Sequence, residues 1–301
     1  MIYIVGTGAI GKALAVFLKL SGQQVTLVRG SVDDLPETRE TVRVRISADQ
    51  EMTADLPVQT LNSVTSLEGP VLVAAKSYGN ENIAEKLAKM SKDVPVCLLQ
   101  NGLNIELPFT GKGFRELYRC VLMVTSQFAG DGTIAFKPVA ACPVGVISGQ
   151  ESVLSALLDQ LQNRWFTFRM ENPIQPLIWK KVIANCVFNS ICPLLETDNG
   201  IFHRNPGAMR IAESIIMECI GIAGRFGIVL DDREVRDMVL AISHASDGQY
   251  ISTLQDIRSK RPTEISTLNH AIVGLARSLG AESLVPQTRI LGDLTEIKSR
   301  L

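Results

Sequence analysis

Apolar residues in the first half of the chain come in short unbroken runs, whereas in the second half they recur at spacings of three and four. Short runs bounded by glycine or polar residues mark strands buried on both faces of a sheet, and the longer period marks helices with a buried stripe. The runs Met1–Val5, Gln24–Val28, Val71–Ala75 and Val96–Leu99 predict strands, with helix-like stretches such as Lys12–Leu20 between them. Residues 115–148 carry several β-like runs around Ala129-Gly130-Asp131-Gly132, a hairpin-like turn. Leu154–Leu161 has a helical period, and Phe166–Met170 reads as a last strand. From Pro176 onward the predicted elements are helices over 177–195, 208–226, 232–244, 252–259 and 264–279. Two of these are apolar around much of their circumference, the mark of a buried bundle. The pattern predicts an α/β domain over 1–172 and an all-α domain over 173–301, divided near Glu171-Asn172-Pro173.

The first predicted strand runs directly into Gly6-Thr7-Gly8-Ala9-Ile10-Gly11 and then into a helix. Strand, G-x-G-x-x-G, helix is the order of a dinucleotide-binding turn, so the first domain is expected to be Rossmann-type. In that turn Gly6 permits the sharp bend, Gly8 lets a pyrophosphate approach the backbone, and Gly11 lets the helix pack on the strand. The helix N-terminus then offers its amides to the phosphates. Arg29 ends the second strand, where an NAD-specific site carries Asp or Glu. An arginine there suits the extra phosphate of NADP(H); the alternative is a solvated strand-end arginine. Lys76, Asn101 and their neighbours follow later strands, at the edge where open α/β sheets bind ligands. Lys76 is a cofactor contact or a surface lysine, and Asn101-Gly102 a ligand contact or a turn.

In the second half, Lys181, Asn185 and Asn189 recur every four residues, which places them on one helix face among apolar neighbours. A lysine and two carboxamides in such a segment must face a partner, a cavity or water. Asn199-Gly200 follows as a turn. Ser252 reads as a helix N-cap and Glu264 as an acid in the first turn of a helix. The basic cluster Arg258, Lys260, Arg261 reads as a solvated loop.

Composition narrows the partners. The chain has 301 residues, 46% of them hydrophobic, and a formal net charge of −1, so no nucleic-acid or membrane partner is expected. Cysteines at 97, 120, 142, 186, 192 and 219 form no Cys-x-x-Cys pair, and the three histidines make no metal-ligand spacing with them. Buried free thiols in a reducing cytoplasm are the expectation. No apolar run is long enough to span a membrane, and residues 1–20 lack the basic start of a signal peptide.

Taken in order, these motifs resemble the ketopantoate reductase family (2-dehydropantoate 2-reductase) over nearly the whole chain. The resemblance rests on Gly6–Gly11, Arg29, Lys76, Gln100-Asn101-Gly102 with Glu106, and Trp179-Lys180-Lys181 with Asn185 and Asn189. Asn199-Gly200, Ser252 and the run from Gln255 through Arg261-Pro262-Thr263-Glu264-Ile265 complete it. It implies NADPH-dependent reduction of 2-dehydropantoate to (R)-pantoate, on the way to pantothenate and coenzyme A, in a cleft between the two domains. Carried over by motif, Lys181 is the expected proton donor and Asn101 sits near nicotinamide and substrate. Asn185, Asn189, Asn199 and Ser252 hold the substrate, Glu264 neighbours lysine and cofactor, and Arg29 and Lys76 bind the NADP side. The chain departs from the family pattern at Gln249, Ile251, Thr253 and His270, the first three at the expected substrate end. Those changes raise another 2-oxo acid as the alternative substrate. A non-catalytic NADP-binding sensor is the alternative from a different class. The assembly is expected to be a monomer or a homodimer.

Overall fold

The computed structural model describes residues 1–33 and 35–301. These fall into two compact units, the first made of Met1–Gln100 and Ile105–Ile174, the second of Asn101–Asn104 and Gln175–Leu301.

The first unit contains β1 (Ile2–Val5), α1 (Ala9–Leu20), β2 (Val25–Arg29), β3 (Thr38–Ser47), β4 (Gln50–Thr60), β5 (Val71–Val73), α2 (Asn80–Met90) and β6 (Val96–Leu98). It continues with α3 (Leu107–Gly111), β7 (Leu117–Cys120), β8 (Val124–Phe128), β9 (Ile134–Pro138), β10 (Cys142–Ser148), α4 (Glu151–Gln160) and β11 (Phe168–Met170). Among the described residues these strands form one sheet in the order β11-β10-β7-β6-β5-β1-β2-β4-β3-β9-β8. Its centre is parallel, with β2 and β5 flanking β1 and β6 and β7 following β5. The period of two sorts the side chains of β1 between the faces. Ile2 and Ile4 join Leu14, Phe17 and Leu18 of α1 in one core. Tyr3 and Val5 join Val71, Val73, Ile83 and Leu87 in the other.

The antiparallel hairpin β3/β4 extends the sheet beyond β2 and was not among the expected strands. It buries Val42, Val44, Leu56 and Val58. Its outer face is charged, with Arg39 on Asp55 at 2.5 Å and Arg45 on Glu51 at 3.0 Å. Alternation of arginines with short apolar residues lacks the unbroken apolar run that marked the central strands.

The second unit consists of α5 (Gln175–Leu194), α6 (Ile201–Arg204), α7 (Pro206–Arg225), α8 (Asp232–Ala245), α9 (Ser252–Arg258), α10 (Asn269–Ser278) and α11 (Pro286–Arg300). α5 packs against α7, α8, α9 and α11, which explains why its apolar residues surround it. The starts of α7 and α8 are set by side-chain caps. Asn205 accepts from Gly207 N and Ala208 N, and Asp231 from Glu234 N. The helix expected over 264–279 is broken. Ile265–Thr267 is a 3-10 turn, and Leu268 at φ −109°, ψ −103° separates it from α10. Glu264 therefore precedes a 3-10 turn and is not a first-turn helix acid. α6 and α11 lie outside the expected helices.

All six cysteines are buried free thiols, as expected. Burial pushes the Cys97 thiol up to about 12, leaving it inert. No helix among the described residues is long and apolar enough to cross a membrane.

Candidate active site

In the first unit the glycines of the turn have separable reasons. Gly6 sits at φ 125°, and a Cβ there would run into the backbone of Ala75. A Cβ on Gly11 would run into the carbonyl oxygen of Gly6, so the helix can approach the turn only without one. Gly8 is different. Its backbone, φ −76° and ψ 177°, suits any residue, and a Cβ there would meet nothing within 4 Å. The protein's own packing does not require glycine at this position. Gly8 is also the N-cap of α1, which has no side-chain cap and no acidic residue in its first turn. Thr7, Ala9 and Ile10 around it are half-buried. Open space before unshielded helix amides fits a pyrophosphate.

Arg29 and Lys76 stand at the same sheet edge. β1 has β2 on one side and β5 on the other, the switch point at which such sheets bind ligands. The Arg29 guanidinium donates to Thr38 Oγ1 at 3.0 Å and to the Pro36 carbonyl at 3.4 Å, which holds it by the start of β3. Lys76 is half-buried, directly before the 3-10 turn Ser77–Gly79. That turn is clamped by an amide pair that the sequence did not reveal. Asn80 Nδ2 donates to Gln100 Oε1 (3.0 Å) and to the Ile105 carbonyl (2.8 Å). Gln100 Nε2 donates to Asn80 Oδ1 (2.6 Å) and to the Ala75 carbonyl (2.7 Å). Both side chains are buried, so the segments after β5 and β6 are tied together. Glu106 pairs with buried Arg119 of β7. Burial lowers that guanidinium's pKa and the nearby carboxylate works against the shift.

In the second unit, Lys181 and Asn185 on α5 are half-buried and Asn189 is buried. Lys180 beside them is tied to Glu234 of α8. Asn189 Oδ1 accepts from Ser252 Oγ at 3.2 Å and from Thr253 N at 3.3 Å, which brings Asn189 and Ser252 together and leaves the Asn189 amide NH2 as its donating end. Ser252 is thus not the N-cap of α9. Ile251 holds that position. Thr253 is only 2% exposed and its N–H donates to Asn189 Oδ1, so this departure from the family pattern lies in the packing behind that amide. Ile251 is half-buried and Gln249 exposed.

Asn199 is pinned through its backbone. Its N–H donates to the Gln249 carbonyl (2.9 Å) and its carbonyl accepts from Ser243 Oγ (2.7 Å). Its side-chain Oδ1 is buried and has no hydrogen-bond partner among the described residues. A buried amide oxygen left unmatched costs about 1–3 kcal/mol, so it marks a place for a donor. Asp198 sets this turn and was not among the expected residues. Its carboxylate accepts from Gly200 N (2.7 Å), Gly248 N (3.2 Å) and Arg204 Nη2 (2.8 Å). The Arg204 bond, aided by the two backbone donors, holds the Asp198 pKa down at about 2. The only sequence cue was an Asp two residues ahead of a glycine, the pattern of a side-chain-closed turn.

The Asn101–Asn104 segment, expected in the first domain, groups with the helical unit. Leu103 N donates to the Thr267 carbonyl at 3.0 Å. Gly102 has φ 111°, and a Cβ on it would lie 2.6 Å from Thr267 Cβ. This docks half-buried Asn101 against the 3-10 turn that half-buried Glu264 precedes. α5 packs on that turn and on α9. One ammonium-bearing side chain, several carboxamides, a hydroxyl and one carboxylate are therefore carried by neighbouring elements of a single unit. No group of His, Cys, Asp and Glu among the described residues could hold a metal ion.

The family model described as Ketopantoate reductase PanE/ApbA matches residues 2–148, and its C-terminal companion matches residues 173–298. The chain is 25% identical over 289 residues to a 2-dehydropantoate 2-reductase of Archaeoglobus fulgidus, covering 95% of this chain and 94% of the relative. Among solved structures it superposes at a TM-score of 0.88 and 23% identity on D-mandelate dehydrogenase with NADH and anilino(oxo)acetate, covering 100% of this chain and 99% of the other. It also superposes at a TM-score of 0.83 and 20% identity on a dimeric ketopantoate reductase from Staphylococcus aureus, covering 99% of this chain and 98% of the other.

Proposed function

The chain belongs to the ketopantoate reductase family and is an oxidoreductase, and from that premise we propose that it reduces a 2-oxo acid with NADPH, 2-dehydropantoate being converted to (R)-pantoate. The observation that carries the reading is the polar set of the second unit: the Lys181, Asn185, Asn189 face of α5, with Ser252 bonded to Asn189 and the unmatched oxygen of Asn199. A 2-oxo acid brings a carboxylate, a ketone oxygen and, in ketopantoate, a hydroxyl. Neutral carboxamides and a serine bind these groups without competing for a proton. The hydroxyl is a donor suited to Asn199 Oδ1.

NADPH, when bound, supplies the hydride. Gly6, Thr7, Gly8, Ala9, Ile10 and Gly11 form its phosphate cradle, and Arg29 and Lys76 take the charge of its NADP end. As negative charge grows on the ketone oxygen, the Lys181 ammonium stabilises it and delivers a proton there. Glu264 orients that ammonium, and Asn101 positions the nicotinamide and the substrate. Likeness to the dimeric Staphylococcus aureus enzyme supports a homodimer.

A second reading is reduction of a 2-oxo acid with an apolar side chain. It is favoured by Ile251, apolar and half-buried before Ser252, and by the likeness to D-mandelate dehydrogenase. NADPH oxidation by the purified protein, with ketopantoate beside phenylglyoxylate and other 2-oxo acids, tests both. The expected result is turnover favouring ketopantoate that falls about 100-fold or more in Lys181→Ala. Preference for phenylglyoxylate would establish the second reading. Turnover unchanged in Lys181→Ala would remove the proposed acid.

A further inference from the structure

A serine inside a helix ordinarily returns its proton to the carbonyl four residues back. Ser190, Ser214 and Ser246 do so, donating to Cys186, Arg210 and Ile242. Ser243 of α8 does not. Its hydroxyl leaves the helix and donates to the Asn199 carbonyl, 44 residues away, at 2.7 Å. Ser243 is fully buried, so no solvent competes for that bond.

The direction of the bond is locked. A serine hydroxyl has one proton and two lone pairs. The proton goes to Asn199, because a carbonyl can only accept. Both lone pairs are taken by His203 of α6, whose backbone N–H lies at 3.3 Å and whose Nδ1 lies at 3.0 Å. Nδ1 must therefore carry a hydrogen and donate it. The half-buried His203 ring is kept in place by His244, stacked on it with centroids 4.0 Å apart and planes 23° apart. Ser243 and His244 are successive residues of α8, so one turn of that helix supplies the hydroxyl and steadies the ring that orients it.

What Ser243 holds is the residue with the unmatched oxygen. The Asn199 N–H is tied to the Gln249 carbonyl at 2.9 Å and its C=O to Ser243, so the main chain is fixed on both sides of its Cα. Gly200 completes the turn where a Cβ would run into the Asp247 carboxylate. Asn199 Oδ1 is then left buried, with no partner among the described residues. Such an oxygen can select a ligand only when its direction is fixed, because a loose amide turns to find a donor of its own.

We propose that Ser243, oriented by His203, aims Asn199 Oδ1 and thereby makes the site select 2-oxo acids that carry a hydroxyl beyond the ketone. Ser243 is a positioning residue: fully buried, it acts through Asn199 and not on a ligand. The proposal rests on the reductase reading above and on the placing of the substrate hydroxyl at Asn199. Selection follows from the amide oxygen. A hydroxylated acid supplies the missing donor, whereas the analogue with hydrogen in place of the hydroxyl buries Oδ1 with nothing to bond.

The test compares ketopantoate with 3,3-dimethyl-2-oxobutanoate, the same acid without its hydroxyl. Initial rates of NADPH oxidation give kcat and KM for each. The wild type is expected to favour ketopantoate about tenfold or more in kcat/KM. Ser243→Ala is expected to lose most of that preference, through a higher KM for ketopantoate with kcat less affected. Ser243→Thr keeps the hydroxyl but adds a methyl group to a full site, so it is expected to lower the thermal melt while keeping the preference. His203→Phe keeps a ring against His244 but removes the Nδ1 donor, and is expected to reduce the preference part of the way; should Ser243→Ala not fold, an unchanged preference in His203→Phe would overturn the proposal. A merely structural Ser243 would lower the rates for both acids together in Ser243→Ala and leave the preference intact, which would also overturn it. A wild type that reduces both acids equally would do the same while leaving the reductase reading standing. A wild type that reduces neither would overturn that reading and the proposal with it.

Discussion

Replacing Gly8 and Gly11 in turn separates what the protein needs to fold from what it needs to bind. Alanine at Gly8 keeps an ordinary backbone, φ −76° and ψ 177°, and its methyl group meets nothing within 4 Å. Removing glycine's freedom from the unfolded chain stabilises such a site by about 0.4–1 kcal/mol, but Gly8 is the N-cap of α1 and alanine is the poorer cap by a similar amount. The two effects nearly cancel, so Tm is expected to stay within about 2 °C of the wild type. The same methyl group stands in the space assigned to the pyrophosphate, so NADPH affinity is expected to fall at least tenfold, about 1.4 kcal/mol. Alanine at Gly11 has the opposite profile. Its Cβ drives into the Gly6 carbonyl oxygen, with Ile4 Cγ2 at 3.3 Å, and both are buried. Overpacking of that kind costs about 1–3 kcal/mol, a fall in Tm of about 2–10 °C. Thermal melts without cofactor and a fluorescence titration with NADPH give both quantities. Wild-type NADPH affinity in Gly8→Ala would refute the placement of the phosphates, and a melt lowered by more than about 3 °C in that variant would refute the claim that the packing does not require glycine there.

Two further outcomes follow from side chains. Arg29→Asp is expected to move the preference from NADPH toward NADH, read as the ratio of kcat/KM for the two; an unaltered ratio would place the phosphate contact elsewhere. Asp198 has a folded pKa of about 2 against an ordinary 3.8, so its bonds stabilise the fold above the unfolded pKa and are lost as pH falls through about 2. With the side chain only 20% exposed, the shift corresponds to about 2 kcal/mol. Between pH 5 and pH 2.5 the wild type should therefore lose more stability than Asp198→Asn, and parallel curves would refute the assignment.

The central strands were legible in the sequence because burial on both faces leaves an unbroken apolar run, as in Val71–Val73. β3 was not, because Arg39, Arg43 and Arg45 interrupt its apolar positions, although they alternate correctly for a half-buried strand. α11 escaped for a related reason. Its inner face is threonine and glycine, so the residues that read as core are the ones left outside. The spacing of Lys181, Asn185 and Asn189 gave their shared helix face, but not that Asn189 reaches Ser252, 63 residues away. The break before α10 was hidden because Leu268 is an ordinary helix former.

What sequence reasoning missed at the site is mostly what holds it. Asp198, Asn80 and Gln100 act largely on main-chain groups: Asp198 on two backbone amides, Asn80 and Gln100 on two backbone carbonyls as well as on each other. A contact to the main chain leaves no mark on the residue contacted, so no pairing of residue types betrays it. The consequence is a division of labour. The segments carrying Lys76, Asn101 and Asn199 are fixed by groups that need not touch a ligand, which leaves Gln249 and Ile251 free to differ from the family pattern without disturbing them. Thr253 belongs with the supports, since its side chain is buried and its amide meets Asn189. If the proposed 2-oxo acid site is right, Ile251 is the departure near Ser252 expected to alter which acid is accepted, and Ile251→Ser assayed against ketopantoate and phenylglyoxylate would read that effect directly.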